Sequence, residues 1–225
     1  MFHCLAATGS LRASPAVLIT LTAILAASVW VFVTLVRHQT SLRRQTALSR
    51  WARTHGLRLA DPARHDAAAI LPPLAALSPR IELLLHGQAV AIAQVRADGS
   101  GAATAAKQNA AWHVLLCPLS GRWAPTGLRP AACTRSLIDL YSLSSFPSLA
   151  STKRFMIFGL APPAAAALAQ SSATALLPQD VGLLLHERYL LLDFTMRPFD
   201  EIEFSRMIDL AAQLVPRLAS PQTVQ

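Results

Sequence analysis

A thiol and an imidazole four residues apart, Cys117 and His113, form the first pair in this chain with the chemistry of a nucleophile and its base. The surrounding run 112–118 reads as a strand, and four residues at about 3.3 Å each hold the two groups about 13 Å apart. That spacing leaves no direct dyad, although His86 or His186 could approach Cys117 through the fold. A buried structural cysteine is the ordinary alternative. Asp193 is the second candidate, because a carboxylate inside the apolar run LLLDF is costly to bury without a partner. Arg197, four residues on, or His186 is the expected partner, which makes Asp193 structural. A carboxylate of shifted acidity in a pocket is the functional alternative.

The other histidines, His3, His38, His55, His65 and His86, show no HxxxH or HExxH pattern and no pairing with cysteine at zinc-ligand spacing. Ser10, Ser120 and Ser145 lack a GxSxG setting. The segment DGSGAATAAK lacks the glycine spacing of a phosphate loop and has no Ser or Thr after its Lys. No catalytic residue, metal site or cofactor is therefore assigned. One loop, 119–131, gathers Arg122, Trp123 and Arg129 among Gly and Pro, and Arg with Trp on a loop suits recognition of a partner. A loop Trp that covers the end of a core is the plainer reading. Cys4, Cys117 and Cys133 give no CxxC and no disulfide framework.

The elements that would position these groups begin with a membrane anchor. Residues 15–36 are an unbroken apolar run, PAVLITLTAILAASVWVFVTLV, with Arg12 before it and Arg37, His38, Arg43 and Arg44 after it. At about 1.5 Å per residue such a helix covers a hydrocarbon core of about 30 Å. Small residues at Ala26, Ala27 and Ser28 resemble a signal cleavage site, but cleavage there would leave VWVFVTLV as an exposed apolar end. An uncleaved single span is expected.

Charge sets its direction. Residues 1–64 hold eight Arg against one acid, Asp61, whereas residues 65–225 hold twelve basic and eleven acidic groups. The excess lies mostly after the span, so the positive-inside rule puts residues 1–14 outside and residues 37–225 in the cytoplasm, at the inner membrane. The near-neutral remainder also argues against a nucleic-acid partner despite a pI near 10.7. Arg37, Arg43, Arg44, Arg50 and Arg53 either determine topology or meet lipid headgroups. Eighteen of the twenty basic residues are Arg, a bias that suits a GC-rich bacterial genome and lends the Arg usage no further meaning.

Residues 37–60 read as a basic juxtamembrane helix leading into the domain, with Leu48, Trp51 and Ala52 on one face and Gly56 as its stop. Within 61–218, residues 61–80 are helix-prone but cut by Pro72 and Pro73. Strands are expected at 57–60, 88–96, 112–118 and 154–158, a mobile hairpin loop at 98–109, and helices at 134–142 and 162–170. The run VGLLLHERYLLLDFTM reads as two strands about a turn at Glu187 and Arg188, which puts Val181, Leu183, Leu185, Leu190, Leu192 and Phe194 on one face. The last helix has Asp200 as cap, Glu203 as capping-box partner and Phe199 with Phe204 as a staple. Its apolar face runs through Phe204, Met207, Ile208, Ala211, Leu214 and Val215, with Leu210 off it and Pro216 as its end. Residues 219–225 read as a disordered tail.

The fold expected is α+β: one transmembrane helix, then a mixed or antiparallel sheet with packed helices, a β-hairpin and an amphipathic C-terminal helix. An anchor joined to a packed domain without a catalytic constellation points to a non-enzymatic protein that binds another protein or assembles a membrane complex. The alternative is a membrane-tethered enzyme with a pocket around Asp193, His186 or Cys117.

Overall fold

Helix α1 (Pro15–Thr54) carries the apolar run and continues into the arginine-rich stretch. The computed structural model describes residues 15–61, 67–77, 80–96, 111–139 and 148–218. The expected N-terminal segment 1–14, the loop 98–109 and the tail 219–225 lie outside the described residues. The chain forms two compact units, Met1–Ala47 and Leu48–Gln225.

In the first unit, α1 is long and apolar enough to cross a membrane, and every described side chain from 22 to 39 is exposed, unlike those of a core helix. Its hydroxyls are turned inward: Ser28 donates to the Ile24 carbonyl and Thr34 to the Trp30 carbonyl, each at 2.8 Å. This i−4 bonding leaves neither hydroxyl unsatisfied on a surface meant for hydrocarbon.

The second unit begins inside the last turns of α1, where Leu48 and Ala52 are buried and Trp51 is partly so. Gly56 stops the helix at φ +68°, a conformation that costs a glycine little. The N–H of Leu57 bonds the Ala52 carbonyl at 2.7 Å and that of Gly56 bonds the Arg53 carbonyl at 3.2 Å, so two orphan carbonyls are satisfied in a Schellman turn.

Seven strands follow in one sheet, every pairing antiparallel: β1 (Arg58–Ala60), β2 (Arg80–His86), β3 (Ala91–Arg96), β4 (Ala111–Pro130), β5 (Ser148–Ser151), β6 (Phe155–Gly159) and β7 (Gly182–Asp193). An extended β7 of this length would hold its ends more than about 30 Å apart. Instead a Cβ placed on Gly182 would lie 3.3 Å from that of Asp193. The strand therefore doubles back, at Glu187, whose φ is +52°. This is the hairpin expected from sequence, and its six predicted face residues all enter one core cluster.

Strand β4 bends around that hairpin. Its first part pairs with β3 on one side and with residues 189–193 on the other; its second part pairs with residues 183–187 and with β6. The register breaks between Pro118 and Trp123 and again before Thr126 accommodate the bend. Residues 119–130, expected as loop, are thus strand, because the irregular stretch with Gly121 and Pro125 marks a bend in a strand that continues beyond it.

One face of the sheet packs on Leu48 and Ala52 of α1, on α3 (Pro162–Gln170) and α4 (Ser172–Leu176), and on α5 (Glu201–Leu218). The other face, carrying Val114, Leu116, Leu184 and Leu191, is covered by Leu71, Leu74 and Leu137. Leu71 and Leu74 belong to the region expected to be broken helix, where α2 (Ala67–Ile70) and a 3-10 turn at Pro72–Leu77 are observed. Strand β2 is not foreshadowed by local pattern, since its leucines favour helix intrinsically. The helix expected at 134–142 is reduced, within the described residues, to a 3-10 turn at Leu137–Asp139.

Helix α5 keeps its expected cap, with the Glu203 N–H donating to the Asp200 carboxylate at 3.0 Å and the rings of Phe199 and Phe204 meeting at 4.6 Å. The reciprocal half of the capping box is not used, because Arg197 and Arg206 take the Glu203 carboxylate. Leu210 is buried rather than off the face, though less deeply than Leu214. Pro216 does not end the helix, which runs to Leu218; in the last turn a proline sacrifices only a bond near the frayed end. Asp200→Ala is expected to destabilise the domain by about 1 kcal/mol in urea denaturation. A loss below about 0.3 kcal/mol would show that the cap bond is dispensable.

Candidate functional site

Asp193 lies at the end of β7, 4 % exposed, where the chain leaves the sheet toward α5. Its Oδ2 accepts the Leu137 N–H at 2.5 Å and the Ser136 hydroxyl at 3.0 Å. Its Oδ1 accepts the Thr195 hydroxyl at 2.5 Å and the Thr195 N–H at 3.1 Å. Neither expected partner is used. Arg197 instead forms a fork with Asp180 at 2.7 and 2.9 Å and reaches Glu203 at 2.9 Å. His186 lies near the turn of β7, about 13 Å along the hairpin from the level of Asp193.

Burial raises the pKa of the Asp193 carboxyl above the ordinary carboxylate value, while the four hydrogen bonds oppose that shift. All four donors are fixed by fold elements. Asp193 caps the 3-10 turn at Leu137–Asp139 and closes an Asx turn onto Thr195, which in turn accepts the His113 N–H at 3.2 Å. With both carboxylate oxygens doubly occupied, the group holds the 131–139 segment against the sheet.

The His113 ring lies on the other face of the sheet from Asp193, and its Nδ1 is 3.0 Å from the Arg197 carbonyl, which requires the proton on Nδ1. Phe194 and Phe199 pack around the ring. Cys117 is on the face opposite Asp193 and shared with His113, four residues along the strand, within the cluster that includes Leu115 and Leu190. Burial pushes its thiol up to about 12, so at neutral pH it remains a thiol, a poor nucleophile. Cys133 is buried as well and its thiol is likewise pushed upward by burial. Asp193, Cys117 and His186 therefore do not share a pocket, and among the described residues no group of three His, Cys, Asp or Glu side chains is placed to hold a metal.

The three loop residues separate. Trp123 is buried at the end of the core and donates its indole N–H to the Leu218 carbonyl at 3.0 Å, satisfying a helix-end acceptor of α5. Arg129 forms a two-pronged ion pair with Asp139 at 2.7 and 3.2 Å. Arg122 is exposed. Arg37, Arg43, Arg44, Arg50 and Arg53 are all exposed along α1. Sequence reasoning missed Ser136, Asp139 and Asp180 as partners, since each is supplied across the fold. Thr195, two residues after Asp193, carried a readable Asx-turn signal.

No family model matches the chain, and no curated protein matches it. A solved structure of similar fold is the crystal structure of the mycobacterial trehalose monomycolate transport factor A, TtfA, at 12% sequence identity and a TM-score of 0.50, covering 81% of this chain and 97% of that one.

Proposed function

We propose that the chain is a non-enzymatic, single-pass inner-membrane protein whose cytoplasmic domain binds another protein or helps to assemble a membrane complex. The observation that carries this reading is that Asp193, the most reactive-looking group of the sequence, spends every lone pair on holding the fold together. The exposed apolar helix supports a membrane location. The likeness in fold to a transport factor supports an accessory part in a membrane transport process, with protein and membrane as partners and nucleic acid not among them. An enzyme with a pocket around Asp193, His186 or Cys117 finds no support in their separate positions.

The orientation proposed is N-terminus outside and domain inside, from the positive charge that follows residue 36. Cys117 and Cys133 are buried and make poor reporters, so the domain is tagged by Gln213→Cys on the exposed side of α5. A membrane-impermeant maleimide on intact spheroplasts is expected to label Cys4 at once and the thiol introduced at position 213 only after permeabilisation. The reverse pattern would overturn both the orientation and the cytoplasmic location.

A further inference from the structure

Strand β4 ends at Pro130, and the chain then lies on the sheet face that carries Leu184 and Leu191. It has no place in the ladder there. Residues 126–130 of β4 pair with β6 along one edge and residues 126–128 pair with β7 along the other, so both edges are taken where the chain leaves the strand. Segment 131–139 is therefore a strap, exposed at residues 131, 132, 134 and 135 and buried at Cys133, Ser136, Leu137 and Ile138. Its backbone bonds are short-range: the Cys133 N–H donates to the Pro130 carbonyl at 3.3 Å and the Asp139 N–H to the Ser136 carbonyl at 3.0 Å. The Ala131 N–H, bonded to the Arg154 carbonyl at 2.9 Å, marks its fixed end.

Side chains hold the rest of the strap to the sheet. The Asp193 carboxylate takes the Ser136 hydroxyl and the Leu137 N–H, Arg129 grips Asp139, and the Cys133 thiol reaches the Asp180 carbonyl at 3.7 Å. The Ile138 side chain sits in a notch over Gly127, where an added Cβ would lie 2.9 Å from its Cδ1. Leu137 enters the apolar cluster with Leu184 and Leu191. Among the described residues, detaching the strap breaks no strand-to-strand bond. Its main cost is exposure of Leu137, Ile138 and the floor beneath them, a small part of the buried core. The Asp193 carboxylate meanwhile regains the solvation that burial removed, which offsets the two bonds the strap supplies. We infer that the strap 131–139 opens as a unit from a standing sheet, with Asp193 as its catch, and uncovers the apolar floor around Gly127 and Leu184. The inference is independent of the membrane reading proposed above.

The test is native-state hydrogen exchange of the full chain in detergent micelles, followed amide by amide where rates report the opening equilibrium. The N–H groups of Leu137, Ile138 and Asp139 are expected to share one level of protection, about tenfold or more below that of Leu115 and Leu116 between β3 and β7, with little dependence on added urea. Ser136→Ala removes one bond to the catch and should lower protection of the strap amides about tenfold, the loss expected for a hydrogen bond to a charged group. Asp200→Ala weakens α5 on the other face of the sheet. It should lower protection of Leu115 and Leu116 about fivefold and leave the strap amides unchanged, because the α5 cap stays formed when only the strap opens. Strap amides as protected as Leu115 and Leu116, strap amides that follow them in Asp200→Ala, or strap amides indifferent to Ser136→Ala would each overturn the inference.

Discussion

Phe204→Ala is expected to cost the domain about 3 to 5 kcal/mol, the range for truncating a fully buried aromatic. Phe204 is 0 % exposed and is the ring on which three others converge: Phe199 edge-on at 4.6 Å, Trp51 at 5.3 Å and Phe194 at 6.3 Å. Those partners come from the end of α1, the end of β7 and the segment before α5, so the cavity would loosen three elements together. Trp51 is tied further by its indole N–H to the Ser205 hydroxyl at 3.1 Å, which holds the two helices in register around the lost ring. A loss of this size approaches the whole stability of an ordinary domain. Urea denaturation followed by tryptophan fluorescence would measure it. A cost below about 1 kcal/mol would show that the site collapses and that the aromatic cluster is not central.

Asp193→Asn is expected to be the second most damaging change, although it leaves the size and shape of the side chain almost unaltered. An amide offers one acceptor where the carboxylate offers two, so either the Leu137 N–H or the Thr195 N–H faces an NH2 group. The hydroxyls of Ser136 and Thr195 can rotate, but a backbone N–H cannot. Leaving one such buried donor unsatisfied costs about 1 to 3 kcal/mol. The pH dependence has a definite sign. Burial raises the folded pKa of Asp193 above the unfolded value of about 3.9. A carboxyl raised in this way contributes its stability fully below the unfolded pKa and loses it as pH rises through the folded pKa. The advantage of the wild type over Asp193→Asn should therefore widen as pH falls through the raised folded pKa toward the unfolded value of about 3.9. An advantage that narrows on acidification would mean that the four hydrogen bonds outweigh burial.

Local signals were legible where they concern neighbours in sequence. Gly56 and Asp200 mark helix ends through turn chemistry within a few residues, and both behave as their spacing requires. The parity of the leucines about Glu187 gave the hairpin its two faces, because a two-residue turn fixes which side chains oppose each other. The bend of β4 was illegible, since Gly121 and Pro125 signal an interruption without saying that the strand resumes beyond it. The partners of Asp193 were illegible for a different reason. Ser136 is 57 residues away and is brought to it by the sheet, whereas the nearby Arg197 is drawn off by Asp180 and Glu203. Sequence proximity favours Arg197, and the fold offers that arginine two carboxylates on the far side.

On the proposed function, this domain acts by being held at a membrane and meeting a partner there. Complementation of a strain lacking the chain tests it most directly, with accumulation and thermal stability checked for every variant. Replacing residues 15–36 by an unrelated span of equal length and the same orientation is expected to preserve function. Deleting the span should abolish it, while His186→Ala and Cys117→Ala, if stably folded, should leave it intact. Loss of function in either of those two stable variants, or full function without a span, would contradict the account.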